Sequence, residues 1–336
     1  MSFIDLVAGI GACQAEEKYW KRQAPGLLAK LAQRSLVQSA SASNRIEGII
    51  ASEMRMPAIV GNETKPIGDN ELQIAGYADA LRYIRDNYDS LPVNEDTIMR
   101  LHSMMYFRTS SAETWHYKTE DNVIAEVHAD GSTYVRWVPV NHKDTPYAMQ
   151  QLLLSYDFAS NRADINQLVL IPCFILDFLC IHPFKDGNGR MSRLLTALLL
   201  YKIGYDVHTY ISMEDWIYRE RDWYYKALQQ SSHGWKETKN DYIPFIYCFL
   251  HIMFMCSKDL TGYFDGIREG ANKNERIRRT VLGSLMPISK KEICAALPDV
   301  SPTTVEAVLA AMQKERLIEK AGSTRGARYS RKQPGL

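Results

Sequence analysis

Two very apolar segments, residues 168–180 and 194–200, flank a polar turn rich in glycine, Ile181-His-Pro-Phe-Lys-Asp-Gly-Asn-Gly-Arg-Met-Ser-Arg193. Segments this apolar must be buried, so the turn is read as a loop that feeds a buried helix. Gly187 and Gly189 permit positive φ and leave backbone N–H groups uncovered, and the N-terminus of the following helix adds its own orphan N–H groups and the positive end of its dipole. Such a site binds phosphate. Arg190 and Arg193 are spaced to share one face of the first turn, where two guanidinium groups can clamp one polyphosphate. Asp186 supplies a hard oxygen for Mg2+, and Asn188 a neutral polar group beside it. His182 is then the group of the loop able to accept a proton near neutral pH, which makes it the general-base candidate. The loop lacks the Gly-Lys-Ser/Thr ending of a P-loop, and an EF-hand counted from Asp186 would need Glu where Ala197 stands.

The chain has 336 residues, about twice the ~150 of one domain, so two domains are expected. With 46% hydrophobic and 24% charged residues it has the composition of an ordinary globular protein, which excludes a largely disordered or fibrous chain. Forty Lys and Arg stand against 39 Asp and Glu, so no global basic field draws the molecule onto nucleic acid or anionic lipid, and any such contact must be local. The six cysteines show neither a Cys-x-x-Cys pair nor a zinc-like cluster and read as free, mostly buried thiols. The first residues carry an acid where an export signal wants Lys or Arg. The apolar runs Leu168–Leu176 and Tyr242–Cys256 fall short of the ~18–20 residues that cross a bilayer. Both read as buried helices of a cytoplasmic protein with no membrane contact.

Helical spacing dominates the first 265 residues, as in Leu27, Leu28, Leu31, Leu36 and Val37 and again in Ile74, Tyr77, Leu81 and Ile84, so the architecture is mainly α. Pro57–Asp69 reads as a loop, and Thr145 as the N-cap of a helix that has Pro146 at its first position and exits over Asn161–Ile165. Residues 122–127 and 133–140 are rich in β-branched and aromatic side chains around His128–Ser132, which predicts a β-hairpin. The character changes near Gly262, Gly266 and Gly270, where a small second domain is expected. It begins with a helix over Glu275–Leu285, continues with a capping box from Ser289 to Glu292, and has a third helix capped by Ser301 with Val305, Val308, Leu309 and Met312 as its buried stripe. Strand-like residues 317–320 and 327–330 enclose a turn at 322–326. Residues 272–332 thus resemble a winged helix-turn-helix domain in pattern, with 302–315 at the recognition-helix position and Arg325 and Arg328 on the wing. Such a domain serves DNA or protein contacts.

Residues 182–193 match His-x-Phe-x-Asp-Gly-Asn-Gly-Arg-x-x-Arg at every defined position, and through this motif the chain resembles the Fic-domain proteins. The resemblance implies a mostly helical fold that binds Mg·ATP and transfers AMP to a Ser, Thr or Tyr hydroxyl of a target protein, releasing pyrophosphate. His182 would deprotonate that hydroxyl and Asp186 would hold Mg2+. Phe184, Gly187, Asn188 and Gly189 would border the nucleotide phosphates, and Arg190 and Arg193 would bind the β and γ phosphates. A related phosphotransferase branch carries Lys where this chain has Arg190. The hairpin at about 122–140 would be the flap along which the target lies as an added strand. Tyr224 and Tyr225 resemble the family segment that packs near adenine, although a helix burying its aromatics reads the same way.

Upstream, Ser43-Asn-Arg-Ile-Glu47-Gly48 resembles the inhibitory helix of the family, placed here at about residues 36–50. Glu47 would pair with Arg193 and occupy the cation meant for the γ phosphate, so the resting enzyme should be weak. The expected order is an N-terminal helical region over 1–110, a catalytic core over 111–265 and the small domain over 272–332. Two further readings stay open: removal of AMP by a water that Glu47 orients, and a DNA-binding regulator with the Fic body as sensor. Relatives commonly self-associate, so a homodimer is also open.

Overall fold

Every apolar stripe read from the sequence lies on a helix, and a computed structural model shows how the helices pack; it describes residues 2–109, 116–127, 133–268, 272–284, 287–297, 300–322 and 327–332. The first helices are α1 (Phe3–Gln23), α2 (Pro25–Ile46), α3 (Met56–Val60), α4 (Gly68–Asn87) and α5 (Glu95–Tyr106). The hairpin follows as β1 (Ile124–Val127) and β2 (Thr133–Trp137), antiparallel, with Ile124 opposite Trp137 and Ala125 opposite Val135. Then come α6 (Thr145–Ser160), α7 (Gln167–Ile181), α8 (Asn188–Lys202), α9 (Met213–Arg219), α10 (Arg221–Ser232) and α11 (Ile243–Arg268). The chain ends in α12 (Lys273–Leu282), β3 (Ile288–Ser289), α13 (Lys290–Ala296), α14 (Pro302–Lys314), β4 (Ile318–Ala321) and β5 (Arg328–Arg331).

Met1–Lys258 form one compact unit and Asp259–Leu336 a second. In the first unit α8 is the central element: Leu194, Leu195, Leu198, Leu199 and Leu200 are all fully buried, and α4, α5 and α7 pack against it. The apolar segment that the sequence requires to be buried is therefore the axis on which the polar loop 182–187 is mounted. In the second unit Ile277, Val281, Ile293, Val305, Val308, Leu309, Met312 and Ile318 build a separate core, closed by an antiparallel sheet in the order β3-β5-β4. The capping box at Ser289 and Glu292 and the Ser301 cap are both formed.

Several expectations need correction. Part of the Pro57–Asp69 loop is helix α3, because proline is tolerated in a first helical turn and Ile59 and Val60 are buried. Thr145 is the first residue of α6 rather than its cap; Asp144 holds the cap position, and Thr145 Oγ1 donates to Asn141 O at 2.8 Å. Gly262 lies inside α11, not at a break, and β3 is a strand the pattern did not announce. The Tyr242–Cys256 run extends into a helix whose stretch Ile243–Phe264, at 22 residues, is long and apolar enough to cross a membrane by length and composition alone. Over half of its most apolar window is buried, with Phe245, Cys248, Leu250, Ile252 and Met253 in the core. Four of the six free thiols are buried, and Cys173 and Cys294 are half-buried. Arg325 and the tip residues His128–Ser132 lie outside the described residues.

Candidate active site

Helix α7 ends at His182, which caps it in the left-handed region with φ 53° and ψ 62° while its N–H donates to Phe178 O at 2.9 Å. Gly187, with φ 81°, plays the corresponding part at the start of α8; a Cβ there would also run into the Tyr106 hydroxyl. Between them the loop is held by its own side chains. Asn188 Oδ1 accepts from Phe184 N at 2.9 Å and its Nδ2 donates to Phe184 O at 2.8 Å, so this asparagine spends its hydrogen bonds on loop shape. Phe184 is buried and stacks on the His102 ring, with centroids 3.7 Å apart and planes 8° from parallel.

Beside this loop is a cavity of about 170 Å³. Its wall combines polar residues, among them Glu47, His182, Ser192 and Arg193, with apolar and aromatic ones, among them Leu176, Leu179, Leu228, Tyr224 and Tyr225; Trp137 and Arg136 of β2 line it as well. Burial holds the His182 imidazole down at about 4, which the Leu179 carbonyl and the Glu47 and Asp186 charges counter only in part, so the ring is neutral and able to take a proton near pH 7. Tyr224 is buried yet still lines the cavity, so the two readings of the tyrosine pair describe one place. Trp223 packs elsewhere, against Tyr247 and His251.

Helix α2 delivers the upstream motif to the same spot. Glu47 Oε1 accepts from Arg193 Nη2 at 2.7 Å, Ser43 Oγ accepts from Arg193 Nε at 2.8 Å, and Ser43 O accepts from Nη2 at 3.0 Å. Burial would favour loss of the Arg193 proton, but the Glu47 carboxylate outweighs it and keeps the guanidinium charged. Gly189 is what lets Glu47 in, since a Cβ at that position would collide with its Oε1. Gly48 follows with φ 75°, the left-handed turn that ends α2.

Arg190 and Arg193, expected to clamp one polyphosphate by its β and γ phosphates, face different surroundings. The Arg190 side chain is fully buried and is absent from the cavity wall. It donates to Gln73 Oε1 at 2.6 Å, Tyr106 OH at 2.5 Å, Asn44 Oδ1 at 3.3 Å and Asp186 Oδ2 at 3.3 Å. It thereby joins α2, α4, α5 and the loop. Three steps along a helix leave the two side chains about 60° apart, enough for one to face the cavity and the other the core.

Asp186 accepts from Tyr106 at 2.7 Å, yet its side chain is 76% exposed. Desolvation would raise its pKa; the Tyr106 hydroxyl and the Arg190 charge outweigh that and keep it below the usual carboxylate value. No cluster of three or more His, Cys, Asp or Glu suited to a metal occurs among the described residues. A single ionised, exposed carboxylate fits a Mg2+ that takes its other ligands from phosphate and water. Sequence reasoning missed Tyr106, Gln73, Asn44 and Lys118, which reach the loop from 60 residues or more away in the chain and carry no local signal.

The helical body thus carries a histidine at a helix end, a glycine-bordered loop and a hairpin whose Arg136 and Trp137 line the same cavity. Residues 92–200 match the Fic/DOC family model, and the chain carries a Fic/DOC family domain. It is 26% identical over 209 residues to the protein adenylyltransferase Fic of Nematostella vectensis, a match covering 61% of this chain and 44% of that protein. A Fido domain-containing protein of Dictyostelium discoideum is 42% identical over 60 residues, covering 17% of this chain and 42% of that one. The chain thus spans less than half the length of these curated relatives. A solved Fic family protein from Desulfovibrio desulfuricans shares the fold, with a TM-score of 0.62 at 20% identity, covering 99% of this chain and 96% of that one.

Proposed function

We propose that the chain is a protein adenylyltransferase restrained by its own helix α2. The observation that carries this reading is the meeting of His182, Arg193 and Glu47 at one cavity that Tyr224 and Tyr225 also line. ATP would lie with its base toward Tyr224 and Tyr225 and its phosphates along Gly187, Gly189 and the N-terminus of α8, where uncovered N–H groups and the helix dipole favour anions. Arg193 would hold the terminal phosphate once Glu47 withdraws, and Asp186 would hold a Mg2+ that neutralises charge on the phosphates. His182 would take the proton of a Ser, Thr or Tyr hydroxyl presented along β1 and β2 as the oxygen attacks the α phosphorus and pyrophosphate leaves. Arg190 supports this as a strut behind Asp186 rather than as a phosphate ligand. The test is labelling with ATP carrying 32P at either the α or the γ position. Adenylyl transfer labels protein from the α position alone; label from the γ position would establish phosphoryl transfer instead. Removal of AMP by a Glu47-oriented water draws on the same geometry and predicts that Glu47→Gly abolishes release while raising attachment.

For the second unit we propose a winged helix module that contacts protein. Its helices α12, α13 and α14 followed by the β4–β5 pair support the fold reading. The outward residues of α14 include Thr303, Glu306, Ala307 and Ala310, with no Lys or Arg on that helix before Lys314, and Arg278, Lys290 and Arg328 are paired with Glu315, Glu306 and Glu292, so the basic excess of the unit, 14 Lys and Arg against 9 Asp and Glu, lies away from the recognition-helix face.

A further inference from the structure

The last carbonyls of a helix have no partner within it, and the final two of α7 are taken by donors from residues 118–137. Trp137 Nε1 donates to Cys180 O at 2.9 Å and Lys118 Nζ to Ile181 O at 3.3 Å. The backbone N–H of Lys118 donates to Pro183 O at 2.8 Å. Lys118 Nζ also donates to Asn122 Oδ1 at 3.0 Å, and Asn122 Nδ2 reaches Phe184 O at 3.4 Å. His182 stands in the middle of these four carbonyls, in a left-handed conformation that costs an ordinary residue about 1–2 kcal/mol and persists only where its surroundings impose it.

Lys118 is only 4% exposed. Burying an ammonium is costly, and the two acceptors of Nζ are a carbonyl and an amide, neither of them charged. Burial accordingly pushes the Lys118 amine down to about 8, with Asp121 pulling it up and Lys236 pushing it down. A neutral donor would have sufficed to clamp a carbonyl. The positive charge has a second effect, on the imidazole: of the charges that bear on His182, Glu47 from α2 and Asp186 from the loop favour protonation and Lys118 opposes it. Arg193 of α8 lines the same cavity.

We propose that Lys118 is a positioning residue for His182, clamping the carbonyls on both sides of the histidine and tying them through Asn122 to the root of β1, so that the hairpin and the base keep one register. The proposal rests on the adenylyl-transfer reading for its kinetic consequence, but not for its effect on the imidazole.

The test is Lys118→Ala made on Glu47→Gly, so that turnover is measurable. Lys118 also lines a second cavity, of about 460 Å³, with His116, Asp121 and Lys185, which gives a small amine a route to the vacated place. The expected result is a kcat for self-modification lowered about 10- to 100-fold with the KM for ATP within about twofold, and partial restoration by ethylamine but not by ethanol. Without turnover, the NMR titration of His182 should move up from about 4 in Lys118→Ala and return when ethylamine is added. An unchanged kcat with an unchanged titration overturns the proposal. So does a loss of kcat that tracks a lowered melting temperature, with no amine rescue and no movement of the titration. If the titration moves as expected while no variant turns over, the positioning role stands and the adenylyl-transfer reading falls.

Discussion

At the scale of single residues the loop works because each side chain is committed to one task. Asn188 shapes the loop, Arg190 braces Asp186, Arg193 is left for the cavity, and His182 is kept neutral by burial. The last point has a measurable sign. A half-buried histidine near 4 stays deprotonated far below the ordinary value of 6.5, so the acid limb of kcat/KM in Glu47→Gly should fall near or below pH 4 rather than near 6.5. Removing Glu47, whose charge favours the imidazolium, moves the limb further toward acid. A pH–rate profile with its midpoint near 6.5 would mean that His182 is solvated in the working state or is not the base. The course of residues 182–193, a loop between a buried helix end and a helix start, was legible in the sequence because its glycines and its apolar flanks are local signals. The separation of Arg190 from Arg193 was not legible, because it depends on Gln73, Tyr106 and Asn44, which only folding brings together.

At the scale of elements, the proposed restraint rests on α2. The helix docks through one stripe spaced four residues apart. Ser35 Oγ donates to His208 O at 3.0 Å, Ser39 Oγ to Glu214 Oε2 at 2.6 Å, and Ser43 and Glu47 meet Arg193. The resemblance picked out the last turn of this stripe from the sequence; the earlier two turns read only as unremarkable serines on a helix. A buried hydrogen bond to a carboxylate is worth about 1.5–3 kcal/mol. Ser39→Ala should therefore loosen α2 and raise self-modification several-fold without touching the loop, with a melting temperature lower by a few degrees. A variant that melts earlier but labels no faster would separate α2 docking from restraint. The hairpin was legible from its β-branched residues, and its attachment to α7 through Trp137 and Lys118 was not, since neither side chain departs from what a strand or a loop ordinarily carries.

At the scale of the whole molecule, two compact units follow from two separate apolar cores, and the near-zero net charge of the chain is not shared evenly: Asp259–Leu336 carry 14 Lys and Arg against 9 Asp and Glu. Titration of the full chain onto fluorescent duplex DNA should show no binding tighter than the weak, salt-sensitive kind, and Arg328→Ala should leave it unchanged, because Arg328 donates to Pro287 O at 2.7 Å and pairs with Glu292. Tight binding lost in that variant would restore the regulator reading.

The central claim is that His182 and Arg193 form an adenylyl-transfer site that Glu47 closes. Its most direct test is the intact mass of wild type, Glu47→Gly and Glu47→Gly/His182→Ala after incubation with Mg·ATP. The account predicts covalent AMP mainly on Glu47→Gly, little on wild type and none on the double variant. AMP on the double variant, or equal amounts on wild type and Glu47→Gly, would contradict it.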